Sequence, residues 1–300
     1  MRFSFWPGGN NSWQDVLTLS QHAEKTGWDG IYFADHFMPN AADASGPTLE
    51  CFTVLTALAA LVPRVRLGSL VAGNTYRHPA VLAKMAANID IISGGRLILG
   101  LGAGWQENEH TAYDIPFHTL GGRLKRLEEA CQVVNGLVAK DRTTLAGKYY
   151  ALKDAPLAPK PVQPKLPLLV GGGGEKVTMR IAATYADEWN VWGTPETLRN
   201  KMAVLDQHCH TVGRDPKSLK RSCQAMVVLT DDAERFERAR SAGGFAVIGG
   251  TAAQTRATVQ EYIDAGVDEL IVPDFNLGRG ADQKREQMDA LTRDVISAFR

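Results

Sequence analysis

Cysteine is scarce, and what there is carries no pattern. Cys51, Cys131, Cys209 and Cys223 are scattered through 300 residues, with no C-x-x-C and no regular spacing. A disulfide framework is thereby excluded, and buried thiols in a reducing compartment are expected. Charge of one sign is also missing: 33 basic residues balance 33 acidic ones. No global field recruits nucleic acid or acidic lipid, so any anion must be held by a local device. No apolar run approaches the ~20 residues of a membrane span. The opening M-R-F-S-F-W-P-G-G lacks the apolar stretch of a signal peptide, which makes a cytoplasmic location the expectation. Three catalytic signatures are absent as well: G-x-S-x-G, H-E-x-x-H and G-x-x-x-x-G-K-[ST]. These absences exclude a nucleophile-elbow hydrolase, a zincin and a P-loop nucleotidase. His208 and His210, two residues apart in a helix, lie on different faces, so no metal site is expected. Chemistry then falls to an organic cofactor, with the protein supplying orientation and electrostatics.

What is present is organised around Val65 to Trp105. Val65, Leu67, Leu70 and Val71 form an apolar run suited to a strand buried on both faces. Pro79 fits a first helical turn, and Val81, Leu82, Met85, Ala86, Ile89 and Ile92 recur at helical spacing. Ser93-Gly94-Gly95 closes that helix, and Arg96 to Leu101 returns as a second apolar strand. Such a crossover is a right-handed βαβ unit. The same alternation covers the whole chain. Further strands are predicted at Arg2 to Trp6, Asp29 to Phe37, Leu168 to Val170, Glu188 to Trp192, Ser222 to Leu229 and Glu269 to Pro273. Helical stripes separate them, and a small hairpin is predicted at Thr143 to Leu152. Eight strands alternating with helices, without a linker, predict one (β/α)₈ barrel domain over residues 1–300, with small insertions after strands four and seven.

Catalytic groups of such barrels stand at the carboxyl ends of the strands. Asp35-His36-Phe37 ends the second predicted strand, and histidine suits proton transfer near neutrality. Gly171-Gly172-Gly173-Gly174 joins an apolar strand to a helix and reads as a phosphate-binding turn. Gly100-Leu-Gly102-Ala-Gly104-Trp105 departs from a dinucleotide fingerprint, because Trp105 stands where the third glycine belongs. Its glycines serve either close approach to a ring or packing at the barrel end. Asn74, Asn108 and Asn190 fall at or just after strand tips, where an amide can both donate to and accept from a heteroaromatic ring. Trp6, Phe37, Trp105 and Trp192 suggest an apolar substrate pocket at the same end.

Several stretches together resemble the bacterial-luciferase-like superfamily, in particular its branch of coenzyme F420 (deazaflavin) oxidoreductases. They are D-H-F-M-P from Asp35, G-N-T-Y-R-H-P from Gly73, I-S-G-G-R-L-I-L-G-L-G-A-G-W from Ile92, G-G-R-L-K-R-L-E-E-A from Gly121, V-G-G-G-G-E-K from Val170 and A-D-E-W-N from Ala186. The resemblance implies a (β/α)₈ barrel, often a homodimer, with an isoalloxazine-type ring at the strand ends. It implies Asp35 and His36 near that ring, with His36 handling a proton. It implies a bulge with a non-proline cis peptide behind the ring within Ser69 to Gly73, which adds Val71, Ala72 and Gly73 to the cofactor site beside Asn74. Asn108 matches a cofactor-contacting amide, and Gly172 to Gly174 match the phosphate turn. The expected reaction is hydride transfer between F420 and a small organic substrate. The alternatives are an FMN-dependent monooxygenase and a flavin-binding protein without turnover. Sugar-phosphate dehydrogenases of this superfamily resemble D-H-F-x-P-W and carry a glutamate after the strand-four glycines. Here Asn40 follows Pro39 and Trp105 takes the glutamate's place, which argues against sugar-phosphate oxidation. Glu107 and Glu109 are the nearest carboxylates that could act as an acid instead.

Overall fold

A computed structural model describes residues 1–300. The first half of the chain runs β1 (Arg2–Trp6), α1 (Trp13–Lys25), β2 (Gly30–Phe33), α2 (Cys51–Leu61), β3 (Arg66–Ser69), β4 (Ala72–Gly73), α3 (Pro79–Ser93), β5 (Leu97–Gly102), α4 (Glu107–Ala112) and α5 (Leu120–Ala139). A hairpin of β6 (Arg142–Ala146) and β7 (Ala151–Pro156) follows. Then come β8 (Leu168–Gly171), α6 (Thr178–Tyr185), β9 (Glu188–Trp192), α7 (Pro195–Thr211), β10 (Lys220–Gln224) and β11 (Met226–Leu229). The chain closes with α8 (Ala233–Ser241), β12 (Val247–Gly250), α9 (Ala252–Asp264), β13 (Glu269–Pro273) and α10 (Gly280–Asp294).

Parallel pairing in the order β3-β2-β1-β13-β10-β9-β8-β5, closed by β3 on β5, makes an eight-stranded barrel. No helix is long and apolar enough to cross a membrane. Local chemistry supports the elements. In α3, the His78 ring accepts from the Ala80 N–H at 3.2 Å, Pro79 occupies the first turn, and Gly94 takes the left-handed conformation at φ 69°. Thr251 and Gln254 form a reciprocal capping box at the start of α9. One cluster of 63 buried residues lies between strands and helices, and a smaller one of Tyr32, Leu70, Ile98, Leu169 and Ile271 fills the barrel interior.

The barrel is layered. At its amino end Glu269 accepts from Ser4 Oγ at 2.5 Å, Tyr32 Oη at 3.3 Å and Arg66 at 3.0 Å, while Glu188 pairs with Arg66 and Arg2. Alternation of side chains along the strands then brings Trp6, Asn190, Trp192, Ser222 and Gln224 to inward positions. The layers thus pass from ion pairs, through apolar packing, to a polar and aromatic mouth.

Several elements differ from the sequence reading. The second predicted strand stops at Phe33, where its ladder with β3 ends opposite Ser69, so Asp35, His36 and Phe37 lie in the loop after β2 rather than on the strand. The third predicted strand is two, β3 and β4, interrupted by a cis Leu70–Val71 peptide that falls in the expected bulge. The seventh splits at Ala225: β10 stays in the barrel, and β11 leaves it to pair with β12, a strand whose V-I-G-G is too short and glycine-rich to register as one. The segment after Trp105 is helical, since α4 is only 6 residues long and too polar to show an apolar stripe. Helix α6 begins at Thr178, four residues after the last glycine of the turn, rather than directly behind it.

Candidate active site

The mouth is shaped by Val71. Its side chain packs on the interior cluster below the strand tips. A Cβ added at Gly102 would lie 2.6 Å from Val71 Cγ2, one at Gly171 2.7 Å from Cγ1, and one at Gly100 3.0 Å from Cγ1 and 2.1 Å from the Ser69 carbonyl. The glycines ending β5 and β8 therefore make room for the β3–β4 bulge. At Gly100 and Gly102 this contact matches the packing reading.

Asp35 braces that bulge from the other side. It lies beyond the end of β2, is 2 % exposed, and accepts the Gly73 N–H at 3.0 Å and both Arg77 nitrogens at 2.7 and 3.0 Å. Arg77 also reaches Glu50 at 2.6 Å and lies over the Phe52 ring at 4.8 Å. Burial pushes the Asp35 carboxyl above its usual range, and Arg77 with the Gly73 N–H opposes this only in part. Ala72 is buried among outward-facing core residues, and Gly73 leaves room for the Tyr76 ring, which a Cβ there would meet at 2.4 Å.

His36 is half-exposed on the rim, and Trp105, 61 % exposed, stands edge-on to it with ring centroids 5.5 Å apart and planes at 77°. Its Nδ1 lies 3.3 and 3.4 Å from the two carboxylate oxygens of Glu109. Glu109, on α4, is fully buried, takes the N–H groups of Phe37 at 2.7 Å and Met38 at 3.2 Å, and accepts the Tyr76 hydroxyl. Burial raises the Glu109 pKa, but donors from His36, Tyr76 and Phe37 outweigh it and leave the carboxyl below its usual range. The short polar helix missed in the sequence thus carries the carboxylate that faces the candidate histidine. Of the two nearby acids, Glu109 faces inward and Glu107 is exposed.

Two asparagines retain unused acceptors. Asn74 is 2 % exposed and donates to the Tyr150 hydroxyl at 3.3 Å, and its Oδ1 has no partner. Asn108 donates to the Pro39 carbonyl at 3.0 Å, and its Oδ1 is likewise buried and unpaired. Buried acceptors of this kind normally find a partner. Asn190 donates from Nδ2 to Ser222 Oγ at 2.8 Å. Trp6 and Trp192 meet with centroids 5.9 Å apart, and Phe275 and Phe245 extend the wall at 5.2 and 4.6 Å. Trp6 Nε1 and Gln224 Oε1 in this region are buried without partners. Trp105 is not part of that cluster and sits beside His36.

At the glycine turn, Gly172 has φ 127°, a conformation that favours glycine. The helix behind it has no side-chain cap. Lys201, on α7, donates to the Gly173 carbonyl at 2.9 Å and to Glu175 at 3.1 Å, so a cation absent from the sequence reading stands at the turn. Gly173 and Gly174 have Val191, Lys201 and Thr178 as their nearest neighbours. No sequence signal near the glycines marks Lys201, because it arrives from the next helix.

Residues 1–268 match the family described as luciferase-like monooxygenase. An F420-dependent glucose-6-phosphate dehydrogenase of Microbacterium testaceum is 34% identical over 204 residues, 67% of this chain and 60% of that one. Pyrimidine monooxygenase RutA of Stutzerimonas stutzeri is 31% identical over 198 residues, 64% of this chain and 53% of that one. The chain thus spans only about half to three-fifths of the length of these curated relatives. An F420-dependent secondary alcohol dehydrogenase, solved with an F420-acetone adduct, superposes with TM-score 0.86 at 20% identity over 100% of this chain and 99% of that one. A monooxygenase from Streptomyces bottropensis gives 0.84 at 18% over the full length of both chains. At such identities the superpositions speak for the fold alone.

Proposed function

Because the chain belongs to the luciferase-like monooxygenase family, we propose that it is an oxidoreductase of the deazaflavin coenzyme F420 acting on a small organic alcohol or carbonyl compound. The observation that carries this reading is the His36–Glu109 pair at the barrel mouth: a histidine held by a buried carboxylate is built to move a proton at a substrate oxygen. When bound, the deazaflavin would supply hydride transfer at the neighbouring carbon. The residues present suit such a cofactor. The unpaired Oδ1 atoms of Asn74 and Asn108 offer acceptors to a ring or its side chain. The turn Gly171 to Gly174, with Lys201 behind it, suits the phosphate, although Glu175 has to release that lysine. Val71, Ala72 and Gly73 back the ring, and Asp35 keeps them in place through Gly73.

The wall of Trp6, Trp192, Phe245 and Phe275 favours an apolar substrate. Trp105, at the position where the family's sugar-phosphate dehydrogenases carry glutamate, adds apolar surface beside His36. Glucose 6-phosphate is therefore not the proposed substrate. We further infer a single-domain, cytoplasmic homodimer with no nucleic-acid or membrane partner. Four buried free thiols suit a reducing compartment, and the dimer rests on the family resemblance.

A second reading, an FMN-dependent monooxygenase, is favoured by the match to RutA. Titration of tryptophan fluorescence with F420 and, separately, with FMN decides between them. Saturable quenching at micromolar or lower concentration by F420 alone is expected. Preference for FMN, with oxygen uptake in the presence of reduced FMN, would establish the monooxygenase instead. His36→Ala is expected to lower turnover roughly 10²-fold or more while F420 affinity stays within a few-fold. Unchanged turnover would remove His36 from the mechanism.

A further inference from the structure

The carboxylate of Glu109 is surrounded by donors. The Phe37 and Met38 N–H groups point at Oε1 from 2.7 and 3.2 Å, and the Tyr76 hydroxyl points at Oε2. A carboxylate so placed is an acceptor only. The imidazole nitrogen facing it, His36 Nδ1 at 3.3 and 3.4 Å, must then be the one that carries a hydrogen. The other ring nitrogen, Nε2, has no hydrogen-bond partner in the protein and belongs to a half-exposed ring on the rim. We propose that Glu109 is the positioning residue of His36: it fixes the neutral imidazole as the Nδ1–H tautomer and leaves the Nε2 lone pair free to accept a proton.

The surrounding charges do not compete. Tyr76 is a neutral donor, since burial and the Glu109 carboxylate push its hydroxyl pKa up. Asp35 is engaged by Arg77, and Arg77 by Asp35 and Glu50. His110, whose ring lies 4.9 Å from Tyr76, is held between the Gln106 carbonyl and Thr75 Oγ1, each at 2.7 Å. The arrangement follows the logic by which a buried carboxylate orients a catalytic histidine in unrelated enzymes. It deepens the functional reading above by naming the atom that takes the proton: in the neutral ring the Nε2 lone pair faces the mouth, where an alcohol O–H can donate to it. The substrate O–H bond would break as an Nε2–H bond forms, and the resulting imidazolium would be paired with Glu109; a bound deazaflavin would supply the acceptor for the hydride from the adjacent carbon.

The test needs neither cofactor nor substrate. Nitrogen-15 NMR of histidine-labelled apoprotein reports which ring nitrogen carries the hydrogen. The wild type is expected to show His36 as the Nδ1–H tautomer. In Glu109→Gln the amide oxygen is required by the Phe37 and Met38 N–H groups, so its NH₂ turns to Nδ1 and drives the ring to the Nε2–H form. Tyr76→Phe removes a donor to Glu109 without altering the acceptor at Nδ1 and is expected to retain the wild-type tautomer. An Nε2–H tautomer in the wild type, or in Tyr76→Phe should Glu109→Gln fail to fold, overturns the proposal, as does an unshifted tautomer in folded Glu109→Gln. With F420 present, Glu109→Gln is expected to lose roughly 10²-fold in alcohol oxidation with cofactor affinity within a few-fold. Failure of F420 to bind the wild type would overturn the functional reading, whereas the tautomer measurement judges the positioning role by itself.

Discussion

The steric conflict between Val71 and the strand-end glycines can be measured as a coupling. In Gly102→Ala the new Cβ would lie 2.6 Å from Val71 Cγ2, about 1 Å inside ordinary contact. Valine is stiff at χ1. Turning its methyls away from Gly102 sends them toward Gly171, already the neighbour of both, or Gly100. The cost is therefore that of overpacking without an easy escape, about 1–3 kcal/mol. Val71→Ala alone removes two partly buried methyl groups and costs about 1–2 kcal/mol. In the double variant the clash has no partner, so the two losses should not add, and a coupling of about 1–2 kcal/mol in favour of the double variant is expected. Urea unfolding provides the assay. With a slope near ~3 kcal/mol per molar, a 2 kcal/mol loss moves the midpoint by about 0.7 M. Gly104→Ala is the control: Gly104 has φ 80°, and a Cβ there would lie 2.7 Å from Thr75 Oγ1, so Val71→Ala should not rescue it. If the Gly102 and Val71 losses simply sum, or if Gly104→Ala is rescued equally, the argument that these glycines exist to seat Val71 is wrong.

Arg77→Met leaves the buried Asp35 carboxylate without its cation and is expected to cost about 3–5 kcal/mol at neutral pH. The pH dependence follows from the direction of each shift. Asp35 already lies above its ordinary 3.8, so its contribution to stability is full below that value and is lost as pH rises through the folded value. Removing Arg77 pushes it higher. Glu50 lies below its ordinary 4.5, so its contribution is present above that value and is lost as pH falls through the depressed one, and Arg77 is among its causes. Both effects make the gap between wild type and variant wide near pH 7 and narrow near pH 4; a gap constant in thermal scans across that range would refute the account. At the opposite end of the barrel, Glu269→Gln should cost about 3–5 kcal/mol by stripping Arg66 and Arg2 of a shared buried partner. F420 affinity measured on the folded fraction should be unchanged, and a loss of affinity would mean that the two ends of the barrel are coupled.

The barrel was legible because its strands are buried on both faces and its helices on one. Those two burial patterns write different periods into the chain, and the strands Arg2–Trp6, Glu188–Trp192 and Glu269–Pro273 have the boundaries their apolar runs imply. The site was legible only in part. His36 and the turn at Gly171 stand out because unusual residues sit where strands end. The proposed role of Glu109 does not, since it depends on a fold that brings α4 beneath the loop after β2, and the segment carrying it has no periodicity to report. The glycines expose a deeper ambiguity. A missing Cβ records that something must come close, without saying whether the neighbour is a ligand or the protein itself. At Gly100, Gly102 and Gly171 the neighbour is Val71, delivered by a bulge that is invisible in an apolar run such as L-V-A. These glycines still serve the mouth, but indirectly. They let Val71 lie across two strand ends, and the Asp35–Gly73 contact holds the backbone that carries it. A substitution at any of the three should therefore disturb the mouth through the position of Val71, even where the glycine itself touches no ligand.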